Sequence, residues 1–326
     1  MAQNSDHSGS TRPDPLLVVT GPTASGKGAV AFELARRTGG EIVSLDSMKV
    51  YRGLDVGTAK PAAERRRTVR YHLLDVVPPE REFSTGDFLP LLHAALEDIR
   101  GRGRRPIVCG GTALYLMGFL RGFGELPGAR PSVRERLIAE AREQGTESLH
   151  RRLAAVDPKA AATFLPGDLR RIVRALEVHE VTGRPMSERW SWSTAEPRPD
   201  VLLYGIQWER EALYARTDRR VAAMVERGLF EEALELSARE PPPGRTALQC
   251  IGYKEVLEGR QAGWSRAEVI ERIRRNTRRL VKRQMTWFRK LPVRWLSAGE
   301  PFDPGRLARE ILDELAGGAS DRRHLS

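Results

Sequence analysis

Gly21-Pro22-Thr23-Ala24-Ser25-Gly26-Lys27-Gly28 decides the fold of this chain. The β-branched, apolar run Leu16-Leu17-Val18-Val19-Thr20 leads into it. A helical pattern that puts Val30, Leu34 and Ala35 on one face leads out of it. A strand, a glycine loop and a lysine-bearing helix make a P-loop, which cradles a pyrophosphate. Gly21, Thr23, Ala24, Ser25 and Gly26 are small enough for backbone N–H groups to turn toward phosphate oxygens. The helix N-terminus adds partial positive charge and Lys27 a full one. One position departs from the motif. Ser or Thr should follow the lysine and place its hydroxyl on Mg²⁺, and Gly28 stands there instead. A Mg²⁺ site near the loop is expected, weakened by that loss. Nucleoside triphosphates are the common ligands of such loops, and an allylic diphosphate is a rarer one.

Outward from the loop, the first third alternates strand and helix. Strands are expected at Leu16–Thr20, Glu41–Leu45 and Pro106–Cys109, with helices at Lys27–Thr38 and Leu89–Arg100. Such alternation implies an α/β fold: a P-loop parallel sheet flanked by helices. Ligands gather at the carboxyl ends of such strands. The P-loop, Asp46-Ser47 and Gly110-Gly111-Thr112 fall there. The texture changes near Gly124 and the turn cluster Pro127-Gly128-Ala129-Arg130-Pro131. Helices are then expected at Val133–Glu143, Leu149–Val156, Lys159–Phe164 and Leu169–Val181, forming a helical insertion domain. Leu202–Gln207 reads as a strand returning to the sheet, with helices filling the remainder. The division expected is a disordered tail at 1–14, core at 15–123, insertion at 124–200, core again at 201–316 and a second tail at 317–326.

The chain has 326 residues, 40% of them hydrophobic and 30% charged, which describes a soluble globular protein with ample core. No apolar run approaches the ~20 residues of a membrane span. The polar first residues lack the apolar core of a signal peptide. Two cysteines, Cys109 and Cys250, make neither a disulfide framework nor a zinc cluster, so a cytoplasmic location is expected. Cys109 reads as a small core residue. His72, His93, His150 and His179 have no metal-ligand spacing. The net charge of +11 is carried mostly by arginine, whose fork matches phosphate, so a nucleic-acid partner is expected. From Arg266 to Lys290 ten basic residues face two acidic ones. Arg275, Arg279, Lys282 and Arg283 recur at helical spacing, and Trp287 and Phe288 follow. Such a one-signed stripe favours phosphate contact over a merely solvated face.

Two polar residues at strand ends have double readings. Asp46 is either a general base or water-mediated metal ligand, or a turn former and N-cap. Thr112 either donates its hydroxyl to a phosphate or bridging oxygen, or caps the next helix, Ala113–Phe119.

The block Asp46-Ser47-Met48-Lys49-Val50-Tyr51-Arg52-Gly53-Leu54-Asp55-Val56-Gly57-Thr58-Ala59-Lys60-Pro61 resembles the tRNA dimethylallyltransferases, the IPP transferase family. So do Gly21–Lys27, Tyr71–Asp75, Gly110–Tyr115, Arg170–Glu177, Gln249–Lys254 and Lys282–Arg289, and the resemblance runs from about Leu16 to Leu296. It implies transfer of a dimethylallyl group from dimethylallyl diphosphate to N6 of the adenosine 3′ of the tRNA anticodon. It further implies that Asp46 takes the N6 proton, that Thr112 lies near the bridging oxygen, and that the P-loop and Arg220 hold the pyrophosphate. The tRNA contacts it implies are Asp46, Ser47, Met48 and Lys49, then Arg170, Arg171, Ile172, Val173 and Arg174, then Gln249, Cys250, Ile251, Gly252, Tyr253 and Lys254. The insertion would grip the anticodon stem-loop, and the protein would act as a monomer. Gly28 departs from the family's Thr or Ser, and Lys49 from its usual Gln. Rival readings are an adenylate isopentenyltransferase acting on free AMP or ATP, and a tRNA-binding paralogue impaired in catalysis. The helical insertion and the basic helix favour tRNA, because a mononucleotide needs neither.

Overall fold

Leu16–Thr20 (β1) and Glu41–Leu45 (β2) are buried along their whole length, as strands covered on both faces by helices must be. A computed structural model, which describes residues 15–122, 126–189 and 198–321, completes the sheet. Tyr71–His72 (β3), Pro106–Gly110 (β4), Val201–Gln207 (β5) and Arg294–Ser297 (β6) join in the order β3-β2-β4-β1-β5-β6. Every neighbouring pair is parallel. Leu17, Val19, Ile107 and Ile206 of the sheet pack with Val30 and Leu34 of the first helix (Lys27–Thr38) and with Leu307 and Ile311 of the last (Pro304–Asp321).

Two elements differ from the sequence expectation. β6 adds an edge strand where only helices were expected, and β3 is too short for its pattern to register. The last helix continues through Gly317 to Asp321, five residues into the expected tail, while Leu307, Ile311 and Leu315 pack into the core beneath its earlier turns. The tail at 1–14 and the junction residue Gly124 lie outside the described residues.

The chain divides into two compact units, Met1–Tyr115 with Pro199–Ser326, and Leu116–Arg198. The second begins earlier than the residue 124 expected. Its helices Pro131–Gln144, Thr146–Val156, Pro158–Thr163 and Leu169–Thr182 close over Leu137, Leu149, Leu153, Ile172 and Leu176. A buried carboxylate, Glu177, ties this unit together. It accepts from the Arg130 backbone N–H at 2.6 Å, Arg134 at 2.9 Å and Arg174 at 2.6 Å.

A second buried carboxylate pins the sheet edge. Glu41 at the start of β2 meets both terminal guanidinium nitrogens of Arg102 and, at 2.6 Å, His72 of β3. The Arg102 hydrogen bonds, followed by His72, outweigh desolvation and hold its carboxyl at about 2 rather than the ordinary 4.5. A depressed folded-state value means stability that is fully present above about 4.5 and lost as pH falls toward 2. Linkage makes this worth about 3 kcal/mol. Urea unfolding of wild type and Glu41→Gln should therefore show a stability gap at pH 6 that narrows progressively below pH 4.5. A gap that stays constant down to pH 3 would separate Glu41 from the acid response.

Candidate functional site

The carboxyl ends of β1, β4 and β2 lie side by side, and the three loops leaving them meet there. Topology explains the crevice: the chain crosses from β1 over to β2 and later inserts β4 between them, which parts the loops after β1 and β4. Gly26 begins the first helix at φ +89°, where a Cβ would strike the Phe302 ring. A Cβ on Gly111 would fall 2.8 Å from Gln284 Nε2 and 3.0 Å from the Gly21 carbonyl oxygen. Glycine is thus required at both places for close approach.

Three side chains donate to carbonyls of the P-loop. Lys27 Nζ donates to the Pro22 carbonyl at 3.1 Å, Arg216 Nε to Ala24 at 3.1 Å and Trp208 Nε1 to Ser25 at 2.9 Å. Arg216 also lies over the rings of Trp208 and Phe302. Gln284, on the long basic helix (Arg266–Phe288), accepts from the Thr23 N–H and donates to the Gly111 carbonyl, both at 2.8 Å. One amide thereby clamps the loops after β1 and β4.

Asp46 forms the turn that one of its readings expects. Oδ1 accepts the N–H groups of Met48 at 2.9 Å and Lys49 at 3.3 Å, which forms the turn after β2. Its second oxygen keeps no partner among the described residues, and the side chain lines the cavity. Thr112 Oγ1 accepts the Ser47 N–H at 3.0 Å, so it positions the Asp46 turn from the neighbouring strand end.

The cavity, of about 260 Å³, is lined by Gly26, Lys27, Gly28, Asp46, Lys49, Arg65, Cys109 and Arg220 among others. Four cations face a single carboxylate. Burial pushes Lys27 down to about 8, with Arg220 and Lys49 reinforcing the shift and Cys109 and Asp46 opposing it. Burial lowers Lys49 and Arg220 as well. A site that confines positive charges at this cost favours a polyanion. Cys109 belongs to the cavity wall rather than to the closed core; burial raises its thiol, so it is a neutral lining group. The donor set does not fit a protein-held Mg²⁺. Gly28 offers no hydroxyl, and Asp46 has one oxygen committed to backbone.

The block Asp46–Pro61 folds back on itself at this cavity. Buried Lys60 donates to the Tyr51 carbonyl and the Asp55 carboxylate at 2.6 Å and to Asp75 at 2.5 Å. Glu232 accepts from the backbone N–H groups of Asp55, Val56 and Gly57, and from the Tyr253 hydroxyl.

Several positions implied to face RNA are buried or paired within the protein. Ile172 and Val173 are buried in the helical unit, and Arg174 is committed to Glu177 and the Pro127 carbonyl. Cys250 and Tyr253 are buried, Tyr253 because its hydroxyl reaches Glu232 and the Gly57 N–H. Lys49 turns into the cavity. Arg170, Arg171 and Gln249 are exposed, and Lys254 pairs with Glu258 at 3.6 Å. On the basic helix, Val269, Ile273, Thr277, Val281 and Phe288 form the buried seam, which leaves Arg275, Arg279, Lys282 and Arg283 exposed. Among the described residues none of these four has an acidic partner. Gln284, Trp208, Arg216 and Arg65 were not anticipated as site residues. Gln284 lay inside a recognised motif, but its sequence neighbourhood assigned it no partner.

Among the described residues no helix is long and apolar enough to cross a membrane. A family model described as IPP transferase matches residues 49–291. The tRNA dimethylallyltransferase of Geobacter metallireducens is 47% identical over 290 residues, covering 88% of this chain and 94% of its own length. That of Anaeromyxobacter dehalogenans is 47% identical over 298 residues, covering 91% and 98%. The crystal structure of the Bacillus halodurans tRNA isopentenylpyrophosphate transferase superposes with a TM-score of 0.67 at 36% identity, over 96% of this chain and all of that one. A eukaryotic dimethylallyltransferase, solved acting on tRNA, gives a TM-score of 0.73 at 27% identity, over 88% of this chain and 75% of its own.

Proposed function

Because the chain belongs to the IPP transferase family, we propose that it is a prenyltransferase that modifies tRNA. It carries a dimethylallyl group from dimethylallyl diphosphate to N6 of the adenosine 3′ of the anticodon, and releases pyrophosphate. The observation that carries this reading is the cavity in which the P-loop, Lys27 and Arg220 stand opposite a half-committed Asp46.

The chemistry follows from that geometry. An exocyclic adenine amine is a poor nucleophile, and an allylic diphosphate leaves only if its growing charge is met. Lys27, Arg220 and the P-loop N–H groups meet that charge as the C1–O bond breaks. N6 forms its bond to C1, and the free oxygen of Asp46 takes the N6 proton. Thr112 acts through Ser47, holding the turn that aims Asp46. The target adenosine must leave its stack to enter, which costs little in an anticodon loop.

Radiolabelled dimethylallyl diphosphate, offered with tRNA or with AMP, tests the reading. Label is expected on the tRNA adenosine and not on AMP. Label on AMP alone would make the chain an adenylate isopentenyltransferase. tRNA binding with no transfer to either acceptor would make it an impaired paralogue.

A further inference from the structure

We propose that Lys49 takes the charge-neutralising place that a P-loop ordinarily leaves to a bound divalent cation, so that this chain grips its diphosphate with side chains alone. The proposal rests on the reading of the cavity as a diphosphate site.

Two observations in one cavity carry it. The first is a loss. Gly28 occupies the position whose hydroxyl would hold the metal. A Cβ built there meets no atom within 4 Å, so no neighbouring oxygen has moved in to substitute. The second is a gain. Lys49 lines the same cavity, and among the described residues its ammonium has no hydrogen-bond acceptor. Lys27, by contrast, keeps the Pro22 carbonyl, and Arg220 reaches the Thr58 carbonyl at 3.3 Å. Half-buried at the cavity wall, the Lys49 ammonium keeps its donors free for a ligand. A diphosphate supplies several oxygens.

The electrostatics point the same way. With Lys27, Arg65 and Arg220 also lining the cavity, Lys49 raises a positive field that only Asp46 offsets. A divalent cation would enter against that field, whereas a diphosphate is drawn by it. Lys49 also follows Asp46 by three residues, and the Asp46 carboxylate accepts its backbone N–H. The side chain thus starts from the turn that aims the general base, placing one cation beside both the leaving group and the base.

Titration calorimetry of inorganic pyrophosphate into the full chain tests this without relying on turnover. Measurements are made in EDTA and in excess Mg²⁺. Wild type is expected to bind in EDTA within about threefold of its affinity in Mg²⁺. Lys49→Gln, which removes the charge and leaves a polar side chain one atom shorter, should lose about 10- to 100-fold in EDTA, as expected for one charged hydrogen bond. Gly28→Thr in the Lys49→Gln background should recover binding only when Mg²⁺ is present. Thermal melts of each variant establish that it is folded. Wild-type binding that requires Mg²⁺, or Lys49→Gln binding that matches wild type in EDTA, would overturn the role of Lys49 and leave the diphosphate site standing. Absence of pyrophosphate binding in both conditions would overturn the diphosphate reading itself, and the proposal with it.

Discussion

Asp46→Asn is expected to lower the single-turnover rate of prenyl transfer by about 10²- to 10⁴-fold, which is the range for loss of a positioned general base. The barrier rises by about 3–5 kcal/mol. Asparagine is the informative replacement because Asp46 does two things. Its Oδ1 holds the Met48 and Lys49 N–H groups, and an amide oxygen can do the same. The turn therefore survives while the proton acceptor is lost. Alanine would remove both, and its defect would mix chemistry with collapse of the turn. Affinity for tRNA should stay close to wild type in the Asn variant. If it retains more than about half of the wild-type single-turnover rate, Asp46 is a turn former and the base lies elsewhere.

The second large effect is on tRNA affinity. Arg275, Arg279, Lys282 and Arg283 present an exposed stripe without acidic partners, and Arg170 and Arg171 are exposed on the helical unit. If tRNA phosphates meet six or more of the chain's cations, affinity should fall by about 10³- to 10⁵-fold between 50 and 200 mM salt. Filter binding across that range reads the slope of log K against log salt. Glu at Arg275 and Arg279 should weaken binding at every salt concentration and flatten the slope by about one unit for each phosphate no longer neutralised. The same variants should bind pyrophosphate as wild type does, because neither residue lines the cavity. A wild-type slope near zero would rule out docking through this charge. Arg174 is a poor target for such a test: reversing it would set a second carboxylate against buried Glu177 and damage the helical unit itself.

Local pattern was enough for much of this architecture. The apolar run Leu16–Thr20, the small-residue loop and the helix carrying Lys27 are decided by residues adjacent in sequence, and β1, β2, β4 and β5 stand within a residue of where their patterns put them. The helices of the insertion were legible for the same reason, since their apolar positions recur every third or fourth residue. The edge strands were not. β3 has two residues and β6 has four, too few for an alternation to stand out, and β6 exists because β5 offers it a partner.

Within the site, the sequence by itself determined which chemistry was available: a phosphate loop, a lysine, a carboxylate at a strand end and a surplus of arginine. Only the tertiary structure decided which groups meet. Gln284 reaches Thr23 across 261 positions, and Lys49 and Arg220 enter one cavity from segments whose spacing carries no trace of that meeting. The same packing turned Ile172, Val173 and Tyr253 inward, although the motifs containing them were plain. Periodicity reports which face of an element is apolar. Convergence depends on how the faces of distant elements pack, and that information is spread over the whole core.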